Sequence, residues 1–93
     1  MSLRFGWDPR KAIASQLTHG VGFHEALTAF ADPLSITIPD PDHSAGEERF
    51  LLVGLTADRR LVVVAHSERG DEIRLVSARP ATRHERECHE EGD

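Results

Sequence analysis

The chain has 93 residues, of which 39% are hydrophobic and 29% are charged. This length predicts one domain over residues 1–93, because two pieces would each be too small to bury a stable core. The composition excludes a disordered chain, and the longest apolar run, residues 61–65, is far below the roughly 20 residues that cross a membrane. The formal net charge of −5 disfavours a stand-alone RNA-binding module, because phosphate contacts dominate the affinity of such modules.

The negative charge is concentrated in an acidic C-terminal tail, residues 85–93, which carries five acidic residues and one arginine. The rest of the chain is nearly neutral. Ten of the eleven cationic residues are arginine, whose planar guanidinium suits phosphate oxygens. The single cysteine, Cys88, excludes a disulfide scaffold, and the N-terminus lacks a signal-peptide pattern, so we expect a cytoplasmic protein without a membrane partner.

The N-terminal residues predict a short strand and a helix. Residues 3–7 are apolar and end at Asp8, whose side chain can cap a helix, while Pro9 fits the first helical turn. The helix is expected over residues 9–18, because Gly20 provides a left-handed stop after it.

Apolar residues with a helical period continue through the next segment. In the first helix, Ile13 and Leu17 stand four residues apart on one face. A second helix begins near Gly22, and its apolar residues predict a stripe that faces the core, namely Phe23, Ala26, Leu27 and Phe30.

The second half of the chain predicts four strands and a final helix. The strands are expected over residues 34–38, 49–56, 61–67 and 72–79. A loop at residues 39–47 separates the first two strands, and Gly70 supplies a positive φ in a tight hairpin between the last two. A polar helix over residues 81–90 ends the chain. The order β-α-α-β-β-β-β-α indicates an α+β fold, with two helices packed on one face of an antiparallel sheet.

Several short motifs are distributed along the chain. They are Phe5-Gly6-Trp7-Asp8-Pro9-Arg10-Lys11-Ala12, His19-Gly20-Val21, Phe23-His24-Glu25-Ala26, Phe30-Ala31-Asp32-Pro33, Glu47-Glu48-Arg49-Phe50, Glu68-Arg69, residues 73–81 and Glu85-Arg86. With these motifs, which span nearly the whole chain, the protein resembles the BrnT toxins.

This resemblance implies a RelE-like fold and a ribonuclease toxin of a type II toxin-antitoxin pair. It implies metal-independent cleavage of RNA without a cofactor. It also implies neutralisation by a BrnA-type antitoxin, whose ribbon-helix-helix part binds the operator, so that contact with operator DNA is only indirect.

RNA cleavage through attack of the 2′-hydroxyl needs a base, an acid and cations that hold the charge at phosphorus. Arg69 and Arg79 are expected at opposite ends of the last hairpin, where each can contact a different phosphate. His19 lies at a helix C-terminus, where the dipole favours its charged form, and it can act as an acid or a phosphate donor. The alternatives are solvated strand-end arginines and a helix-capping histidine.

Three further cations are candidate RNA contacts. Lys11 lies on the first turns of the first helix, and Arg49 follows the long loop. Arg74 is a weaker candidate, because strict alternation places it on the sheet face opposite to Arg79 and Ser77. Beside Arg49, Glu48 is a possible base, although a solvated loop carboxylate is the more typical interpretation.

Other polar or aromatic residues favour structural roles. His66 shares a face with apolar strand neighbours and is interpreted as a core-edge histidine, and Trp7 as a core residue. His84 and Cys88 stand four residues apart on the last helix, but a structural zinc site needs four ligands, so no metal site is predicted.

Two functions remain open. The first is an active RNA endonuclease, favoured by Arg69, Arg79 and His19. The second is a catalytically weakened protein that only binds its antitoxin and modulates operator repression. Thr18, which stands where the family usually has lysine, and the acidic tail favour this second function.

Overall fold

In the computed structural model of the chain, the described residues are 4–40 and 48–91. A short strand, β1 (Arg4–Gly6), leads into helix α1 (Pro9–His19). The Asp8 carboxylate accepts a hydrogen bond from the N–H of Arg10, and Gly20 adopts a φ of 75° after the last turn. Both predicted ends of α1 are therefore confirmed to within one residue.

The second helix is shorter than its apolar stripe suggests. Helix α2 (Phe23–Leu27) continues directly into a 3₁₀ turn (Thr28–Ala31). Phe23 and Ala26 are buried, while Leu27 and Phe30 are half-buried. The stripe thus faces the core, as predicted, although its second half is not α-helical.

Four strands and a last helix follow, namely β2 (Ile36–Pro39), β3 (Arg49–Leu55), β4 (Leu61–Arg69), β5 (Glu72–Pro80) and α3 (Arg83–Glu91). Gly70 has a φ of 57°, and Arg69 stands opposite Glu72, so the predicted hairpin turn is confirmed. The loop expected at residues 39–47 lies mostly outside the described residues.

The five strands form one sheet in the order β1-β5-β4-β3-β2. Strand β1 pairs in parallel with β5, with Arg4 opposite Glu72 and Gly6 opposite Arg74. The other strand pairs are antiparallel. The prediction of an antiparallel sheet is therefore wrong for β1, because a three-residue strand holds no information about the direction of a partner some seventy residues away.

One face of the sheet, here called the core face, carries the main hydrophobic core. Helix α2 and the segment before it pack on this face, and its buried residues are Val21, Phe23, Ala26, Ala29, Leu52, Val62, Val64, Ile73, Leu75 and Ala78. The side chains of Ile13 and Leu17 do not join them, because these residues are 62% and 82% exposed. Helix α1 instead turns the buried Ser15 and the half-buried Ala12 inward.

Ser15 closes part of the edge of β5. Strand β1 covers only the first three residues of β5, and farther along that side no other strand among the described residues pairs with β5. The Ser15 hydroxyl donates to the carbonyl oxygen of Ala78 at 3.1 Å and accepts from the N–H of Ala78 at 3.0 Å. A helix side chain therefore satisfies both backbone groups of a strand residue.

The opposite face of the sheet, here called the α3 face, carries a smaller cluster. Val53, Leu61 and Val63 are buried there, and Leu51 and Ala81 pack against them. Helix α3 lies over this face and leaves an apolar groove of about 250 Å³, lined by Ile36, Ile38, Leu51, Val53, Val63, His84, Glu85 and Cys88.

Candidate functional site

A β-bulge in β5 determines which side chains share the α3 face. Ala65 stands opposite Ser77, but the next residue of β4, His66, stands opposite Leu75, which leaves Val76 without a partner on β4. Bulges redirect side chains and occur often beside functional sites. The alternation of β5 therefore changes phase at Val76.

The bulge corrects the predicted direction of Arg74. Arg74 pairs with Ser67, and Ser77 pairs with Ala65. Ser67 and Ala65 are two residues apart on β4 and share a face. Arg74 therefore lies on the same face as Ser77 and Arg79, and the prediction that it points the opposite way is wrong.

Four arginines lie on the α3 face in three rows along the strands. Arg49, Ser67 and Arg74 form one row across three strands, so the two arginine Cα atoms are separated by roughly 10 Å. Arg69 lies one row toward the hairpin turn, opposite Glu72, and Arg79 lies toward the other end, opposite Val63. The prediction that Arg69 and Arg79 occupy opposite ends of the hairpin is confirmed. We call Arg49, Arg69, Arg74 and Arg79 the arginine face.

Two grooves meet at the bulge. The first, of about 400 Å³, lies on the α3 face, and its polar lining consists of Asp40, Arg49, Ser77 and Arg79. The second, of about 310 Å³, lies between α1 and β5 and is lined by Lys11, Ala14, Ser15, Thr18, His19, Val76 and Ser77. Val76 and Ser77 line both grooves. The structure thus brings four predicted site residues around the bulge, while Arg69 and Arg74 line neither groove.

Arg79 is held by a carboxylate from α3. Its Nη1 and Nη2 atoms donate to the two carboxylate oxygens of Glu85, each at 2.8 Å. The hydrogen bonds from Arg79 and from the N–H of Thr82 lower the pKa of Glu85 to about 2, because they outweigh the effect of burial, which raises this pKa. The Arg79 side chain remains 36% exposed, so the guanidinium can still be reached from solvent.

Glu85 also helps to cap the start of helix α3. The N–H of Thr82 donates to the Glu85 carboxylate at 2.8 Å, and the N–H of Glu85 donates to the Thr82 hydroxyl at 3.2 Å. This reciprocal arrangement is a capping box. The residue that binds Arg79 is therefore fixed in place by the backbone of its own helix.

The other end of α3 is attached through His89. Its Nε2 atom lies 2.9 Å from a carboxylate oxygen of Asp32, and both side chains are nearly buried. Burial raises the pKa of Asp32, but hydrogen bonds from the N–H groups of Leu55 and Leu34 outweigh it, and the pKa lies below its usual value. An ionised carboxylate thus joins α3 to the segment before β2.

The remaining sequence candidates divide between surface and core. His19 and Lys11 are exposed on α1, and Glu48 is exposed before β3. His66 is 0% exposed, with its ring beside Phe30 and Phe50, so its predicted structural role is supported but it lies in the core and not at the core edge.

Trp7 and the last-helix residues also have structural environments. Trp7 packs edge-on against the rings of Phe23 and His24, in line with the predicted core role. His84 and Cys88 approach to 3.7 Å, but within residues 4–40 and 48–91 no three potential ligands are grouped for a metal ion.

Sequence reasoning missed two acidic groups of the site. Asp40 lines the groove on the α3 face, and Glu85 occupies the guanidinium of Arg79. The pattern Thr82-x-x-Glu85 is typical of a capping box and could have identified Glu85 as a residue of the first helical turn. No local pattern marks Asp40, because its position depends on the pairing of β2 with β3.

Comparison with known proteins defines the class. The crystal structure of the Brucella abortus ribonuclease toxin BrnT matches with a TM-score of 0.68, covering 88% of this chain and 100% of that chain at 16% sequence identity. At this identity the match shows a shared fold. No curated protein sequence matches the chain. The chain thus has the fold seen in that crystal structure.

The family follows from the sequence comparison. The sequence model of the family described as the ribonuclease toxin BrnT of type II toxin-antitoxin systems matches residues 7–85. The chain belongs to the BrnT family, which confirms the resemblance found in its motifs. Within the part of the chain that the structure describes, no helix is long and apolar enough to span a membrane.

Proposed function

We propose that this chain is an active RNA endonuclease toxin that cleaves without a metal ion. The observation that carries the proposal is the convergence of Lys11, His19, Arg49 and Arg79 around the β5 bulge. Cations on both sides of a strand can hold successive phosphates of one RNA strand, and arginine does so with two parallel hydrogen bonds. The fold is proposed to be RelE-like.

The proposed reaction is attack of a ribose 2′-hydroxyl on the adjacent phosphorus. The new P–O2′ bond forms as the P–O5′ bond breaks, which leaves a 2′,3′-cyclic phosphate and a free 5′-hydroxyl. Asp40 supplies a carboxylate that can accept the 2′-hydroxyl proton, and His19 can protonate the leaving oxygen. Arg79 stabilises the charge that develops at phosphorus.

The remaining cations position the substrate. Arg69 is proposed to hold a second phosphate near the hairpin turn, while Arg49, Arg74 and Lys11 bind the flanking backbone. We propose that the protein acts in the cytoplasm and that a BrnA-type antitoxin neutralises it. The ribbon-helix-helix part of that antitoxin would contact the operator.

A second candidate function is antitoxin binding without catalysis. It is favoured by the ion pair between Arg79 and Glu85, because a guanidinium that is already occupied contributes less to phosphate binding. In this case the chain would tune operator repression through its antitoxin.

RNA cleavage in the presence of EDTA distinguishes the two functions. We expect the wild-type protein to cleave RNA and a candidate antitoxin to stop the cleavage. The Arg79→Ala and Arg69→Ala variants should each lower the rate of cleavage at least about tenfold, which corresponds to a rise of about 1.4 kcal/mol or more in the activation barrier. Arg59→Gly is the charge-matched control, because the φ of 64° at Arg59 suits glycine. Absence of cleavage on free RNA and in a translation extract, with antitoxin binding intact, would favour the second function.

A further inference from the structure

The contact between Arg79 and Glu85 has the geometry of phosphate recognition. Both terminal nitrogens of the guanidinium face both oxygens of one carboxylate, at equal distances of 2.8 Å. A phosphate group presents two oxygens to the same fork in the same way. RNA and Glu85 therefore use the same hydrogen-bond donors, and they cannot fully occupy Arg79 together.

Glu85 is an effective occupant because it is charged and already positioned. The pKa of about 2 keeps its carboxylate ionised at neutral pH. The capping box with Thr82 fixes its backbone beside Arg79, so that little conformational entropy is lost when the ion pair forms.

The helix that carries Glu85 is attached mainly through polar contacts. Its two ends are fixed by Glu85 to Arg79 and by His89 to Asp32. Between these points, an apolar groove of about 250 Å³ remains beneath α3. Movement of the first turn of α3 thus breaks few van der Waals contacts, because side chains on the two sides of an open groove do not touch.

We propose that Glu85 is an intramolecular competitor of RNA for Arg79, so that a phosphate reaches this guanidinium only in molecules whose ion pair with α3 is broken. This inference rests on the proposed function, because it concerns the same arginine face. The apparent affinity for RNA is then reduced by the fraction of molecules in which Arg79 is occupied. Any partner or substrate that holds α3 away from Arg79 increases RNA binding.

Direct RNA binding tests the competition without interference from cleavage. The probe is a short single-stranded RNA with 2′-O-methyl groups, which cannot undergo attack by the 2′-hydroxyl, and its dissociation constant is measured by fluorescence anisotropy. Glu85→Gln removes the charge while keeping a side chain that completes a capping box. Glu87→Gln on the same helix makes the same change of charge at an exposed position and is the matched control.

At about 0.15 M salt, we expect Glu85→Gln to bind the probe about fourfold more tightly than Glu87→Gln. This factor corresponds to one added phosphate contact, which changes the slope of log affinity against log salt concentration by about 0.7. The gain should disappear when Arg79→Ala is added to both variants, since the competition acts through that guanidinium. Cooperative unfolding of each variant, followed by the fluorescence of Trp7, establishes that the chains compared are folded.

Weaker binding by Glu85→Gln than by Glu87→Gln would overturn the proposal and make Glu85 a positioning residue for Arg79. Equal binding by the two variants would also overturn it. An Arg49→Ala variant separates these failures from failure of the proposed function. If Arg49→Ala weakens binding while the two glutamine variants agree, only the competition is wrong. If neither Arg49→Ala nor Arg79→Ala alters binding, the arginine face does not bind RNA and both proposals fall.

Discussion

Gly54 has no side chain, and this allows strand β3 to pack closely against the 3₁₀ turn that follows α2. A Cβ atom placed on Gly54 would lie 2.8 Å from the carbonyl oxygen of Ala29 and 3.2 Å from the Cβ atom of Ser35. The first distance is shorter than a van der Waals contact, and the oxygen belongs to the backbone of the 3₁₀ turn. Strand β3 can approach that turn only because position 54 is glycine.

Gly54→Ala is therefore expected to destabilise the folded state by about 1–3 kcal/mol, the usual cost of overpacking. The free energy of unfolding can be measured with urea, with Trp7 as the fluorescent reporter. Gly6→Ala serves as the control, because its Cβ would meet no atom closer than 4.0 Å. A Gly54→Ala variant as stable as Gly6→Ala would contradict this close approach.

Ser15→Ala is expected to cost about 1–2 kcal/mol of folding stability. The substitution removes both hydrogen bonds to Ala78 and leaves a buried N–H and carbonyl without that partner, which the better helix propensity of alanine offsets only in part. Urea unfolding of Ser15→Ala and of Thr18→Ala, on the exposed side of α1, provides the comparison. Equal stability of the two variants would show that the edge contact contributes nothing.

At the scale of elements, local capping residues made helix α1 predictable. Asp8 and Gly20 act through the backbone within two to four residues of themselves, so the bounds of α1 could be read from the chain. The hairpin at Gly70 could be predicted for the same reason. Features that depend on a distant strand could not, namely the direction of β1 and the bulge at Val76.

The same distinction applies to the candidate site. Residue type together with position in the predicted elements selected Lys11, His19, Arg49 and Arg79, and the fold brings them around one bulge. Arg74 was assigned to the wrong face, because strict alternation is valid only in a strand without an extra residue. The ion pair between Arg79 and Glu85 joins β5 to α3, and the periodicity of the sequence does not indicate which side chains of these two elements meet.

The attachment of α3 should depend on pH. Because the pKa of Glu85 is lowered from 4.5 to about 2, its ionised form stabilises the folded state above pH 4.5, and this contribution is lost as the pH falls toward 2. The advantage of the wild type over Glu85→Gln should be about 1 kcal/mol at about pH 6, after allowance for solvent screening of the partly exposed arginine.

Urea unfolding of both chains at several pH values checks this expectation. The pKa of Asp32 is also lowered, but it affects both chains equally and cancels in their difference. A difference that stays constant from about pH 6 to about pH 3 would contradict the role of an ionised Glu85.

At the scale of the whole molecule, the distribution of charge matters more than its sum. The chain has a net charge of −5, yet Arg49, Arg69, Arg74 and Arg79 share one face of the sheet. A local cationic surface can bind phosphates on an acidic protein, but the long-range attraction is weak. RNA binding should therefore be modest in affinity and strongly dependent on salt.

Arg74→Ala should reduce the slope of log affinity against log salt by about 0.7, the value for one phosphate contact on a single strand. The same anisotropy probe measures this slope over a range of salt concentrations. Arg59→Gly, in the turn between β3 and β4, removes one positive charge outside the arginine face and should leave the slope unchanged. Identical slopes for the two variants would exclude Arg74 as a phosphate contact.

The contact of Ser15 with Ala78 also has a consequence for encounters between copies of the chain. An open strand edge presents N–H and carbonyl groups that can recruit a strand from another molecule, and such pairing leads to aggregation. At Ala78 both groups are already engaged by the hydroxyl of a neighbouring helix. The side chain of Ser15 thus limits pairing of β5 with a strand from another molecule along the part of β5 that β1 is too short to cover.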